Sequence, residues 1–210
     1  MDNCIIFCAG SFDKLIRPMQ KSDFIIAADG GFQHTLSLGL SPDVVLGDFD
    51  SLGYVPEGAE RFPAEKDDTD TMLAIRCGLS HGHRRFFIYG SLDGPRLDHT
   101  IANFQALQFL ADHQAQGFLI GTEFIATVIK NASISFPTEN SGILSVFCLG
   151  GEAQGVCLSG LKYPMQNGTF HAGFPLGVSN HFIGAAATIS VADGSLLVLW
   201  ERKNGLPLGF

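Results

Sequence analysis

Short apolar runs alternate with longer polar-and-apolar stretches through the first half of the chain. The runs Cys4–Ala9, Phe24–Ala28, Val44–Leu46, Phe86–Tyr89 and Phe118–Ile120 show no polar alternation, which predicts strands buried on both faces. Between them, Gly31–Leu38, Thr69–Ser80 and Asp98–His113 carry helical spacing. In the last, Ile101, Phe104, Ala106, Leu107 and Leu110 fall largely on one face. This rhythm predicts an α/β fold with parallel strands and crossover helices, a doubly wound sheet. Such sheets bind ligands beyond the carboxyl ends of their strands, so motifs just after strands carry most weight.

From about Phe124 the texture changes. The β-rich stretches Ile143–Leu149, Val156–Leu161, Phe182–Val191 and Leu196–Trp200 are separated by Gly, Asn and Pro turns, which predicts an all-β, antiparallel sandwich. The boundary falls near residues 121–131 and is drawn here as 1–125 and 126–210, with the strand Phe124–Ile129 compatible with either side. The sequence contains no internal repeat and no low-complexity tract.

Composition narrows the function classes. With 210 residues, 46% hydrophobic and 16% charged, the chain can bury a substantial core. Thirteen Lys and Arg against 21 Asp and Glu give a net charge of −8, which disfavours nucleic acid as a partner and suits a cationic small molecule. No apolar run reaches membrane-spanning length and the first residues lack a signal-peptide pattern, so no membrane association and a cytoplasmic location are expected. The five cysteines, Cys4, Cys8, Cys77, Cys148 and Cys157, show no CxxC pair and no zinc-like spacing to histidine. They read as buried reduced thiols.

Candidate chemistry collects after strands. Asp48 and Asp50 follow the strand Val44–Leu46, and in extended chain their i, i+2 spacing puts both carboxylates on one side, like the hard oxygen ligands of a Mg²⁺ site. Lys66-Asp67-Asp68-Thr69-Asp70 opens one predicted helix, Arg96-Leu97-Asp98-His99 another, and Asp29-Gly30-Gly31 follows the second strand. Asp68, Asp70 and Asp98 taken singly also read as helix caps or first-turn residues. Caps do not account for Asp48 and Asp50 meeting them, because two carboxylates 4 Å apart repel by about 4 kcal/mol at an effective dielectric of 20. A cation relieves that repulsion. Neither GxxxxGK[ST] nor GxGxxG occurs, so a phosphate would rely on metal, Lys66, Arg96 and backbone amides. His81-Gly82-His83 reads as a solvated turn and Trp200 as core.

Taken together, Ala28-Asp29-Gly30-Gly31, Gly47-Asp48-Phe49-Asp50-Ser51, Asp67-Asp68-Thr69-Asp70, Arg96-Leu97-Asp98-His99, Gly160-Leu161-Lys162-Tyr163-Pro164 and Gly177-Val178-Ser179-Asn180 resemble the thiamine pyrophosphokinase family, in its order and over nearly the whole chain. The resemblance implies transfer of pyrophosphate from ATP to the hydroxyethyl oxygen of thiamine, with release of AMP. It also implies a homodimer in which the α/β domain of one chain and the β-sandwich of the other complete the active site. On the same basis Asp48, Asp50 and Asp70 would ligate Mg²⁺. Asp29, Gly30, Gly31, Lys66, Thr69 and Arg96 would seat ATP, with Lys66, Asp70, Arg96 and Asp98 taking part in catalysis and Asp98 beside the reacting hydroxyl. Tyr163 would stack on thiamine, and Ser179 and Asn180 would hydrogen-bond its aminopyrimidine.

Two other readings stay open at this level. A strand followed by Asp48-Phe49-Asp50-Ser51 is also similar to phosphatases of the haloacid dehalogenase type, in which the first Asp is a nucleophile, although there the motif lies on the first strand and here on the third. A non-catalytic thiamine- or nucleotide-binding module is the other.

Overall fold

The computed structural model describes residues 3–50, 52–63, 65 and 67–210. The chain divides into two compact units, Met1–Thr122 and Glu123–Phe210.

Unit 1 carries strands β1 (Cys4–Phe7), β2 (Phe24–Ala28), β3 (Val44–Gly47), β4 (Glu60–Arg61), β5 (Arg85–Tyr89) and β6 (Gln116–Ile120), with helices α1 (Gly31–Ser37), α2 (Asp70–Ser80) and α3 (Leu97–Asp112). The strands lie in the order β4-β3-β2-β1-β5-β6, and every neighbouring pair is parallel. The chain therefore first travels outward from β1 and then returns to the other side of it. Right-handed crossovers put helices reached in opposite directions on opposite faces. The mutual packing of α2 and α3, both reached on the return, agrees with that rule.

The sheet core is fully apolar, with Ile6, Phe7, Ile26, Phe86, Ile88 and Phe118 sealed from solvent. In α3 Ala106, Leu107 and Leu110 of the expected face are buried, joined by Asn103, while Phe104 is half-buried. Ile101 is 54% exposed. The Asn103 Nδ2 donates to the Ser91 carbonyl at 2.6 Å, tying α3 to the exit of β5. The first strand ends at Phe7 rather than Ala9, and β4 is too short to leave a periodic signal.

Unit 2 contains β7 (Phe124–Lys130), β8 (Ser133–Phe136), β9 (Ile143–Ser159), β10 (Met165–His171), β11 (Gly177–His181), β12 (Ala187–Ser190) and β13 (Asp193–Glu201), all paired antiparallel. The runs expected at Ile143–Leu149 and Val156–Leu161 are the two ends of one long strand, β9. Its first part pairs with β13 and β11, and its second with β10 and β12. The expected run Phe182–Val191 is instead broken by a turn at Gly184. β8 and β13 are separated in the hydrogen-bonded order by β12 and β9, about 14 Å of sheet at the usual strand spacing. Yet the rings of Phe136 and Trp200 lie 5.1 Å apart, so they meet across the interior of a sheet folded over on itself. Trp200 is fully buried and its indole N–H donates to the Gly205 carbonyl at 2.8 Å, as its core assignment requires.

Cys4, Cys8 and Cys148 are buried free thiols, whereas Cys77 in α2 and Cys157 in β9 are free and only half-buried. His81 is exposed and His83 half-buried; their rings flank Phe24 at 4.8 and 4.9 Å. Among the described residues no helix is long and apolar enough to cross a membrane.

Candidate active site

β2 and β3 run parallel with Ala28 opposite Leu46, so the residues leaving both strands emerge at one edge of the sheet. Asp29 leaves β2 with a left-handed φ of 48°, its N–H donating to the Leu46 carbonyl at 2.8 Å. Gly47, the last residue of β3, has φ 148°, and a Cβ there would lie 3.0 Å from the Asp29 backbone. Glycine at that position lets the two strand ends close on one another. Phe49, buried at 3% exposure, turns the chain with φ 62°, and the Asp50 N–H donates to Asp48 Oδ1 at 3.2 Å.

The result is a group of three carboxylates, Asp29, Asp48 and Asp50, offering oxygens that all lie within 4.8 Å of one another. Asp48 and Asp50 share a side because Phe49 is left-handed, not because the chain is extended. Asp29, expected among the nucleotide contacts, stands in this group, whereas Asp70 lies outside it at the start of α2. Three carboxylate oxygens this close together are the kind of hard-oxygen donor set that Mg²⁺ takes. The residues present fit it.

Asp70 is nonetheless close by. Burial, opposed by a hydrogen bond with Thr71 and reinforced by the charges of Asp70 and Asp29, pushes the Cys8 thiol up to about 12. Cys8 therefore stays a neutral thiol, its Sγ 3.4 Å from the Thr71 hydroxyl next to Asp70.

Asp48, Phe49 and Asp50 also line a pocket of about 550 Å³ with Tyr54, Arg61 and Phe62. Arg61 pairs across the sheet with Gly47, and the Phe62 N–H donates to the Gly47 carbonyl at 2.9 Å, fixing this wall beside the carboxylates. Tyr54 Oη accepts from Gln33 Nε2 at 3.4 Å. Acidic side chains and an exposed guanidinium lining one pocket suit a ligand that is itself an anion carrying a metal. Sequence reasoning missed Tyr54, Arg61 and Phe62. The only available signal was their proximity to the Gly47–Ser51 motif, because a two-residue strand has no pattern.

The remaining expected residues resolve individually. Thr69 is the N-cap of α2, its Oγ1 accepting from the Met72 N–H at 3.2 Å, so the cap is Thr69 and not its acidic neighbours; Asp68 instead meets Arg76 at 3.2 Å. Gly30 caps α1, and a Cβ on Gly31 would fall 1.9 Å from the Phe7 carbonyl oxygen. That glycine serves helix-to-strand packing. Lys66 and Ser51 lie outside the described residues. Arg96 precedes α3 and grips Asp98 with a fork of 2.9 and 2.6 Å. Those hydrogen bonds hold the Asp98 carboxyl at about 2.

In unit 2, Tyr163 is 57% exposed, Ser179 is exposed and Asn180 is 2% exposed. Asn180 does not offer its amide to solvent: Oδ1 accepts from the Tyr163 N–H at 2.9 Å and Nδ2 donates to the Tyr163 carbonyl at 2.8 Å. Ser179 has φ 58° and its N–H donates to Ser145 Oγ at 3.0 Å. The Lys162 ammonium stands 5.3 Å from the centre of the Tyr163 ring.

Residues 15–119 match the family model described as thiamin pyrophosphokinase, catalytic domain, and residues 131–196 the one described as thiamin pyrophosphokinase, vitamin B1 binding domain. A thiamine pyrophosphokinase of Bacillus subtilis is 28% identical over 183 residues, 83% of this chain and 85% of that protein. Among solved structures, thiamine pyrophosphokinase of Bacillus subtilis superposes with a TM-score of 0.80 at 23% identity, covering 96% of this chain and 99% of that one. A thiamin pyrophosphokinase family protein of Enterococcus faecalis gives 0.77 at 26%, with 96% and 99% covered. The enzyme of Candida albicans gives 0.76 at 18%, with 95% and 88% covered.

Proposed function

The chain belongs to the thiamin pyrophosphokinase family, and from that premise we propose that it transfers the pyrophosphoryl group of ATP in one step to the hydroxyethyl oxygen of thiamine, releasing AMP. The observation that carries the reading for this chain is the group Asp29, Asp48 and Asp50, of which Asp48 and Asp50 share one pocket with Arg61.

Asp29, Asp48 and Asp50 would hold Mg²⁺, with Asp70 at the neighbouring helix start. Bound there, the ion supplies neutralisation of the polyphosphate charge. Arg61, which lines the same pocket, would meet that anion, and Lys66, assigned by the family resemblance alone, would add a second positive charge. Transfer of this type asks mainly for in-line positioning and for stabilisation of spreading negative charge, which fixed cations supply without reorganisation. Thr69 keeps its hydroxyl hydrogen free to donate while its oxygen caps α2.

Asp98 is a weak proton acceptor while Arg96 grips it, because its carboxyl sits near 2. Its part is to accept a hydrogen bond from the thiamine hydroxyl and orient it, the proton leaving late. When Arg96 turns to phosphate, the fork opens and Asp98 becomes the stronger acceptor. Tyr163 offers an exposed ring to the flat heterocycles and the thiazolium charge, and Ser179 a hydroxyl to the aminopyrimidine. We further propose the α/β plus β-sandwich organisation and a homodimer, in which the thiamine-binding unit of one chain serves the nucleotide-binding unit of the other.

The test is thiamine dependence with ATP labelled in its phosphates. Direct transfer predicts nucleotide cleavage only when thiamine is present, and no labelled protein. A labelled protein that disappears in Asp48→Asn, with phosphate released in the absence of thiamine, would replace this reading by the aspartyl-phosphate one.

A further inference from the structure

We infer that Asn180 is a positioning residue that sets the thiamine-facing ring of Tyr163 through the Tyr163 backbone, and is not itself a thiamine ligand. The inference rests on the reading that this surface takes thiamine. Its starting point is an irregularity of pairing. Along β11, Gly177 stands opposite Val146 and Asn180 opposite Leu144, so three steps on one strand match two on the other. The extra residue is absorbed at Ser179, whose φ of 58° and N–H bond to Ser145 Oγ mark the bulge.

A bulge re-aims side chains. Here Val178 and Ser179 both face out, and Asn180 turns in to 2% exposure. A buried primary amide must find partners, and this one finds both on a single residue. Its oxygen accepts from the Tyr163 N–H, its nitrogen donates to the Tyr163 carbonyl, and the same oxygen accepts from the His181 N–H at 2.9 Å. The side chain thus replaces a strand neighbour for the peptide of Tyr163. Around it, the Lys162 N–H donates to the His181 carbonyl at 2.9 Å, and Leu161 bridges Phe182.

The consequence concerns entropy. An exposed aromatic ring on a free loop pays for ordering when it captures a ligand, while one on a clamped backbone has only its own torsions left to fix. Asn180 therefore supports thiamine affinity by pre-organising Tyr163. Ser179, on the outward side of the same bulge, keeps its hydroxyl for the ligand.

A double-mutant cycle on the full-length enzyme tests this. Asn180→Leu, close in shape and unable to hydrogen-bond, is expected to raise the thiamine KM about tenfold with kcat and the ATP KM little changed, and Tyr163→Ala to do the same. The double variant is expected to be no worse than the worse single one, because each removes the same ordered ring. A full tenfold further loss in the double variant would show Asn180 acting on thiamine independently and overturn the inference. So would an unchanged KM in Asn180→Leu. Should Asn180→Leu fail to fold by circular dichroism, amide exchange of the wild type decides: a Tyr163 N–H slowed at least a hundredfold against its open-loop rate supports the clamp, and free exchange contradicts it. A wild type that turns over ATP without any dependence on thiamine fails the functional reading instead, which separates the two.

Discussion

The carboxylate edge of unit 1 and the Tyr163 face of unit 2 reach the same end by different means. At the first, Asp29, Asp48 and Asp50 come together because parallel neighbours β2 and β3 end at one edge, with two left-handed residues, Asp29 and Phe49, bending the exits together. At the second, one left-handed residue, Ser179, in an antiparallel bulge sorts neighbours into a buried clamp and an exposed surface. The first collects like charges that only a cation relieves. The second pairs the buried Asn180 amide fully and exposes a ring. A topological rule assembles one site, and a local irregularity assembles the other.

Substitutions sharpen that contrast, beginning with the largest expected effect. Asp50→Ala is expected to lower kcat/KM by about a thousandfold while the ligand-free thermal midpoint stays within a few degrees, because Asp50 is exposed and carries no core packing. Activity surviving within about tenfold would remove Asp50 from the metal-holding set. Arg61→Ala is expected to raise the ATP KM about tenfold, roughly 1.4 kcal/mol, with the thiamine KM unchanged. Equal changes in both constants would detach the pocket from the nucleotide.

Ser179→Ala is expected to do the reverse and more weakly, raising the thiamine KM about fivefold with kcat little affected, as loss of one uniform binding hydrogen bond does. A large fall in kcat at constant KM would place Ser179 in transition-state positioning. The smallest effect is a titration. The Arg96 fork depresses the Asp98 carboxyl to about 2, so Asp98 is ionised throughout the working range and any stabilisation it gives is lost only as pH falls from ordinary carboxylate values through about 2. Removing the fork by Arg96→Leu raises the Asp98 pKa toward the usual range, measurable by carbon NMR of the side chain. An unmoved titration would mean that Arg96 does not hold Asp98 in solution.

What could be read in the sequence divides along the same line. Parallel buried strands have a strong signature, uninterrupted apolar runs, so β1 to β6 were readable apart from the two-residue β4, and with β4 went Arg61 and Phe62. The carboxylates were readable as residues after strands. Which three would share one space was not, because it depends on the φ of Phe49 and on the missing side chain of Gly47. In unit 2, β10 and β11 bury little and contain Asn, Gly, Ser and His, so hydrophobic patterning passed over them. Asn180 stood out as a polar residue in a motif. Its inward turn depends on a bulge that no composition encodes, and an amide that looked available for a ligand is spent on the Tyr163 backbone.

The central claim is that the acidic pocket and the Tyr163 face serve one reaction, and following the phosphorus species by NMR in a mixture of the protein with ATP, Mg²⁺ and thiamine tests it most directly. The account predicts AMP and thiamine diphosphate in equal amounts, with no change when thiamine is left out or EDTA is added. ADP with thiamine monophosphate, or inorganic phosphate formed without thiamine, would contradict it.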